Sequence, residues 1–122
     1  IQPNFKNARK GFRLSLKSER NIRIHIFISI LVLTTAMYFE FSITKFCIIL
    51  LTIASVISME MVNSAIEFAL DSIYHNKYSR MVGMAKDIAA GAVMFTSIVA
   101  VLIGSLLFVP PFVALFKSLV QH

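Results

Sequence analysis

Three long apolar runs alternate with polar links along this chain, and each has the length of a membrane-spanning helix. They cover residues 22–39, 43–62 and 88–109. An α-helix needs about 20 mostly apolar residues to cross the hydrocarbon layer of a bilayer. We therefore predict an all-α membrane protein with three transmembrane helices. Pro110 and Pro111 follow the third run and are expected to end it, because proline removes a backbone donor and blocks the preceding turn.

The residues before the first run have the pattern of an amphipathic helix. Phe5, Ala8, Phe12 and Leu16 recur at helical spacing, and basic residues occupy the other faces. We expect an amphipathic surface helix over about residues 4–20, lying in the membrane interface and binding anionic headgroups. Such a helix either only anchors the protein or also controls how lipid reaches a site.

Composition favours a chain embedded in lipid. Of the 122 residues, 57% are hydrophobic and only 15% are charged, and the mean hydropathy is +0.79. So few charges cannot cover a soluble globule of this size. The length allows one domain, residues 1–122. The single cysteine, Cys47, offers neither an internal disulfide nor a cysteine metal site.

Basic residues gather on one side of the predicted spans. Residues 1–23 carry seven lysines and arginines against one acid, and the link between the second and third spans carries Lys77, Arg80 and Lys86. By the positive-inside rule, the N-terminus and this link face the cytoplasm. The net charge of +6 therefore indicates contact with the membrane surface rather than with nucleic acid.

The outer parts of the spanning region carry a few polar residues. At the start of the first span, Arg23 and His25 are expected to snorkel to the headgroups. No small-residue cleavage site follows this span, so we expect it to be retained. After the third span, residues 112–122 are expected to form a short interfacial helix with Lys117 near the outer headgroups.

Polar residues form a stripe where the second span ends. Glu60, Asn63, Glu67 and Asp71 are spaced by three, four and four residues, so they share one face of a continuing helix. Glu60 falls near the cytoplasmic boundary of the membrane. An ionisable group at mid-membrane costs about 2.5–3.5 kcal/mol on insertion scales. Glu60 either anchors a structural hydrogen-bond network, or the grouped acids serve a site that holds a cation.

The second interpretation leads to a magnesium and phosphate site. Glu19, from the surface helix, adds a third carboxylate, and Mg²⁺ binds one or two carboxylates together with phosphates and water. Lys86 is a candidate to neutralise phosphate oxygens. Asp87 either contacts a nucleotide or caps the following helix. The sequence has no GxxxxGK[ST] or GxGxxG motif, so phosphoryl chemistry would use a metal and cationic side chains.

At these residues the sequence resembles the small prokaryotic membrane lipid kinases, the diacylglycerol kinase and undecaprenol kinase family. The resemblance covers nearly the whole chain through the third span. Its carriers are EMVNSAIE over residues 60–67, Asp71, AKDIAAGAV over residues 85–93, KGFR over residues 10–13, and Glu19.

The resemblance implies roles for individual residues. Glu60 matches the general base that takes the proton of a lipid hydroxyl, and Glu19 and Glu67 match acids that hold Mg²⁺ on the phosphates of ATP. Lys86 and Asp87 match nucleotide-contacting positions. The matching substrate or supporting positions are Asn63, Asp71 and Arg13. The resemblance also implies a homotrimer in a bacterial cytoplasmic membrane, with cytoplasmic sites shared between neighbouring subunits.

One segment departs from the family pattern. Where the family often has Glu-Tyr-His ahead of its Ala-Lys-Asp motif, this chain has Lys77, Tyr78 and Ser79, and its link is about one residue longer. We expect these three residues to stand at the nucleotide-binding positions.

Several functions are compatible with the sequence. The sequence of residues 85–93 resembles undecaprenol kinases more than diacylglycerol kinases, which favours phosphorylation of undecaprenol over that of diacylglycerol. An ion or proton carrier would distribute ionisable residues across the bilayer, whereas the first span has none between His25 and Tyr38. A non-catalytic membrane subunit is a further alternative.

Overall fold

The chain folds into α-helices throughout the part that the computed structural model describes, residues 5–75 and 79–121. Within these ranges α1 covers Phe5–Ser18, α2 Arg20–Tyr38, α3 Ile43–Tyr74 and α4 Arg80–Val120. In the described residues, α2, α3 and α4 are long and apolar enough to cross a membrane. The predicted all-α architecture with three spanning helices is therefore confirmed, and the placement of α1 on the membrane surface stays a prediction.

Helices α3 and α4 are longer than the spans predicted from hydropathy. α3 continues beyond Val62 to Tyr74, which puts the polar stripe on an uninterrupted helix as expected. α4 begins at Arg80, eight residues before the predicted start of its span. Because both extensions stand at the same end of an antiparallel pair, they form a hairpin that projects beyond the apolar segments.

Local capping explains where these helices begin and end. The Ser42 hydroxyl accepts a hydrogen bond from the Lys45 backbone N–H, and the Ser79 hydroxyl accepts one from the Val82 backbone N–H at 3.1 Å. α3 ends because His75 adopts a left-handed conformation, with φ of 52°. Ser79 thus takes the capping role that was one interpretation of Asp87. That interpretation is wrong because Asp87 lies two turns inside α4.

The expectation that Pro110 and Pro111 end the third helix is also wrong, because α4 continues through them to Val120. Each proline lacks a backbone donor, yet helices in membranes tolerate this where neighbours hold the segment. Aromatic contacts on both sides of the pair provide such support. The Phe112 ring packs against Phe39 at 4.9 Å between centroids, and the Phe108 ring against Phe41 at 5.0 Å.

The interior of the bundle is thin. α4 packs mainly against α3, and α2 packs against the same helix. Among the described residues, the buried apolar side chains are Ile22, Ala36, Ile49, Val56, Val82 and Ala89. Large apolar side chains along all three spans are exposed instead. In a membrane this surface faces lipid, which agrees with the composition.

Candidate active site

The corner between α1 and α2 is fixed by an arginine. The Arg23 guanidinium donates to the backbone carbonyls of Leu16 and Lys17, at 2.8 and 2.9 Å. These carbonyls belong to the last turn of α1, where the backbone carbonyls lack an N–H partner within the helix. The contact places Glu19, the residue in the corner, at the start of α2. Arg23 therefore bonds the backbone of α1, and its snorkelling to the headgroups stays a prediction.

Glu60 lies against α2 and is held by a histidine. Its Oε1 atom is 3.0 Å from Nε2 of His25, and its side chain is only 11% exposed. Ile22 and Val56, each about one helical turn from this pair, are buried. From sequence we expected His25 to contact the headgroups, so its contact with Glu60 was missed. The available signal was a titratable residue at the edge of an apolar span.

Two oxygens on the polar stripe are buried and have no hydrogen-bond partner among the described residues. They are Oε2 of Glu60 and Oδ1 of Asn63. The other end of the Asn63 amide donates to Oε1 of Glu67 at 3.3 Å. Buried acceptors without donors are costly, so this pair of atoms suits a ligand that brings its own hydroxyl or cation.

The acids of the stripe form separate contacts rather than one cluster. Glu19 interacts electrostatically with Glu60, Asn63 bonds Glu67, and Asp71 bonds Lys86. In the described ranges, no group of three histidines, cysteines or acids is close enough to hold a metal. Mg²⁺ needs only one or two protein carboxylates when phosphates and water complete its shell. Glu67 and the Asn63 amide that bonds it offer oxygen atoms of the kind that Mg²⁺ binds, whereas Glu19 interacts with Glu60.

Lys86 and Asp71 join the projecting ends of α3 and α4. The Lys86 ammonium donates to Oδ1 of Asp71 at 2.7 Å, and both side chains are partly exposed. Asp87 follows on an exposed face of α4. These residues stand at the cytoplasmic end predicted for the nucleotide. Arg13 is exposed on α1, and Lys77 and Tyr78 lie outside the described residues.

An apolar cavity of about 400 Å³ lies between α2, α3 and α4. His25 lines it at the end nearest Glu60, and Phe108 lines it at the other. Between them its walls are mostly aliphatic or small, including Ile53, Val56 and Gly104. The cavity therefore combines a hydrocarbon-compatible interior with a polar end at His25, whose imidazole contacts the buried Glu60 carboxylate.

Together these features define a small three-span membrane protein with a candidate phosphoryl-transfer site at one end of its helices. The family profile described as prokaryotic diacylglycerol kinase matches residues 6–108. A Synechocystis protein named diacylglycerol kinase is 33% identical over 119 residues, covering 94% of this chain and 68% of the relative. A Bacillus subtilis protein named undecaprenol kinase is 36% identical over 107 residues, covering 88% of this chain and 86% of the relative.

The chain belongs to the prokaryotic diacylglycerol kinase family and is a membrane lipid kinase. The resemblance carried by residues 60–67 and 85–93 is thereby confirmed. The alternatives of an ion carrier and of a non-catalytic subunit are wrong, because the family and both relatives are kinases.

Proposed function

We propose that the chain, as a single kinase domain, transfers the γ-phosphoryl group of ATP to the hydroxyl of undecaprenol. The observation that carries this proposal is the buried Glu60 carboxylate, which has one oxygen held by His25 and the other without a partner among the described residues. The apolar cavity is lined at one end by His25 and suits the hydrocarbon chain of a lipid alcohol.

The proposed step needs a base and an in-line arrangement. The lipid hydroxyl oxygen attacks the γ-phosphorus, and its proton passes to Oε2 of Glu60. The bond between the γ-phosphorus and the β,γ-bridging oxygen breaks, and ADP leaves with the bonding electrons. Lipid phosphate and ADP are the products. A positioned general base contributes about 10²–10⁴-fold to such a reaction, and positioning supplies much of the remainder.

Glu19 and Glu67 are proposed to hold Mg²⁺ with the phosphates of ATP. The ion, when bound, supplies charge neutralisation on the triphosphate. Asn63 supports this set because its amide bonds Glu67 and its buried oxygen is available to the substrate side. The Arg23 contact with the end of α1 supports the placement of Glu19.

The nucleotide is proposed to bind over the projecting ends of α3 and α4. Lys86 would contact phosphate oxygens and Asp87 would contact the nucleotide, with Asp71 and Arg13 in supporting positions. Ser79 caps α4 beside this region, and Lys77 and Tyr78 precede it in sequence. The first turn of α4 lies at residues 80–83, where the Val82 and Gly83 backbone N–H groups already donate to the Ser79 hydroxyl and carbonyl.

The proposed setting is a bacterial cytoplasmic membrane with the site on the cytoplasmic side. The basic residues before α2 and between α3 and α4 support this orientation. α1 would lie as an amphipathic helix in the interface, with Phe5 and Phe12 exposed on one face for contact with lipid. A homotrimer with shared sites would cover part of the exposed apolar surface of each chain.

The choice of lipid is tested by supplying purified protein with Mg-ATP and either undecaprenol or diacylglycerol in matched detergent micelles. We expect faster formation of lipid phosphate from undecaprenol. The undecaprenol kinase relative supports this choice because it is 36% rather than 33% identical and is matched over 86% rather than 68% of its own length, although the diacylglycerol kinase relative covers more of this chain. Far faster phosphorylation of diacylglycerol would overturn it in favour of the second candidate, which is supported by the relative named diacylglycerol kinase.

A further inference from the structure

We propose that His25 is a positioning residue for phosphoryl transfer, holding Glu60 so that one carboxylate oxygen remains directed to the substrate hydroxyl. The inference rests on the proposed role of Glu60 as the base. It assigns a specific task to a residue on a different helix.

The contact gives the two oxygens of the Glu60 carboxylate different roles. Nε2 of His25 lies 3.0 Å from Oε1 of Glu60, within hydrogen-bond distance. A carboxylate only accepts, so Nε2 is the donor and carries the proton of the imidazole in this contact. Oε2 of the same carboxylate is buried and without a partner among the described residues. The bonded oxygen fixes the group, and the other oxygen is available for the proton of the hydroxyl.

Within the described residues, the hydrogen-bonding contact of the Glu60 carboxylate is the one with His25. The Glu60 side chain has several rotatable bonds and is largely enclosed, at 11% exposure, where water cannot hold it in place. The nearby Glu19 carboxylate repels it. His25 opposes this repulsion by giving Glu60 a donor on α2. The contact thereby keeps the base apart from the acids proposed to hold the metal.

The backbone around His25 is well suited to this task. His25 stands two residues after Arg23, which bonds α2 to the last turn of α1. The Ser29 hydroxyl donates to the His25 carbonyl at 2.6 Å, one turn further along α2. The imidazole therefore projects from α2 close to the corner that Arg23 fixes, and it lines the polar end of the apolar cavity.

Three substitutions at this position distinguish the effect of a hydrogen-bond donor at Nε2 from the effect of side-chain volume. In His25→Gln, the amide nitrogen is the same number of bonds from Cα as Nε2 of histidine. In His25→Asn, the amide nitrogen matches Nδ1 instead and falls short of Glu60. His25→Leu fills space without a donor. Thr34→Ala, on an exposed face of the same helix and away from the cavity, is the matched control.

The measurement is kcat and KM for Mg-ATP and for the better lipid substrate, in micelles, with folding checked by circular dichroism and thermal unfolding. We expect His25→Leu and His25→Asn to lower kcat about 10²-fold, the order caused by misplacing a catalytic group by ~1 Å. Both KM values should stay within about twofold of the parent. His25→Gln should recover most of kcat, and Thr34→Ala should match the parent.

Distinct results overturn the inference and the proposed function. Full kcat in a folded His25→Leu protein, or equal recovery by Asn and Gln, would show that His25 does not position the base. A fall confined to KM for the lipid would make His25 a lipid contact instead. A parent protein that phosphorylates neither lipid would contradict the proposed function itself.

Discussion

At the residue scale, the candidate site depends on two kinds of contact, and only one of them is readable from sequence. Glu60, Asn63 and Glu67 share a face because they follow the period of a single helix, so their alignment was predictable. The contact between Glu60 and His25 joins two helices, and no periodicity within one segment specifies it. The ion pair of Asp71 with Lys86 also joins two helices. The sequence pointed to each residue but not to the contact between them.

Replacing the proposed base should remove activity without unfolding the protein. Glu60→Gln keeps the size of the side chain and a potential partner for His25, but its amide cannot take the hydroxyl proton. We expect a folded protein whose kcat falls by about 10²–10⁴-fold. Lipid phosphate formation and thermal unfolding, measured on the same preparation, check this. Full turnover in a folded variant would refute the assignment of Glu60.

Replacing the proposed metal ligand should have a different signature. Glu67→Gln removes a charge while keeping an acceptor oxygen and the possibility of a contact with Asn63. We expect a higher KM for Mg-ATP and a requirement for more Mg²⁺, because the proposed metal would lose a carboxylate. A titration of activity against Mg²⁺ at fixed ATP measures this. An unchanged Mg²⁺ dependence would remove Glu67 from the metal site.

The pair formed by Lys86 and Asp71 makes a prediction with a definite sign. Both side chains are more than a third exposed, so losing the pair should cost at most about 1 kcal/mol of stability. In Asp71→Asn, Lys86 no longer has to leave a carboxylate to meet phosphate, so KM for Mg-ATP should fall. Lys86→Met should raise it. If both variants raise KM equally, Asp71 serves to position Lys86 and does not compete with phosphate.

At the element scale, hydropathy located the spanning helices but not their ends. The spans at 43–62 and 88–109 lie within α3 and α4. The end of α3 after Val62 and the start of α4 before Ile88 carry charged residues, so hydropathy does not assign them to a span. Capping by Ser79 decides where α4 begins, and this depends on one hydroxyl rather than on a run of residues. The proline pair led to a wrong prediction of the end of α4. The aromatic residues that support the helix there, Phe39 and Phe41, are distant in sequence.

The corner between α1 and α2 should be needed for metal use. In Arg23→Met the last carbonyls of α1 lose their donor, so Glu19 is no longer fixed at the corner. We expect a higher KM for Mg-ATP and faster proteolysis between α1 and α2. Arg20→Met removes an equal charge three residues earlier and serves as the control. Equal effects of the two variants would point to charge rather than to the corner contact.

At the scale of the whole molecule, the chain exposes too much apolar surface to be stable outside lipid or detergent. Exposed residues such as Phe27, Leu51, Phe95 and Leu106 are distributed over all three spanning helices. A membrane protein was therefore predictable from composition alone. The way copies of the chain share this surface depends on contacts between subunits, which a pattern within one chain does not encode.

Shared sites in the proposed homotrimer predict complementation between variants that are impaired in different parts of the site. His25, Glu19 and Glu60 meet within one chain, so a neighbour would supply the nucleotide contacts. Coexpressed Glu60→Gln and Lys86→Met chains, assayed at a Mg-ATP concentration too low for the Lys86→Met protein, should then regain part of the activity, because every mixed trimer holds one intact site. Activity of purified mixed complexes, with crosslinking to establish trimers, measures this. Crosslinked mixed trimers without recovery would place each site within a single subunit.

The unbroken course of α4 has a consequence for the face of the membrane remote from Glu60. Its 41 residues extend about 60 Å at 1.5 Å per residue, roughly twice the thickness of the hydrocarbon layer. Even a tilted helix of that length emerges from the lipid, and it carries Phe116, Lys117 and Val120 with it. The last turns of α4 therefore stand outside the lipid, at the end of the bundle away from the proposed site. A tag or a surface tether attached there would leave the nucleotide side unobstructed.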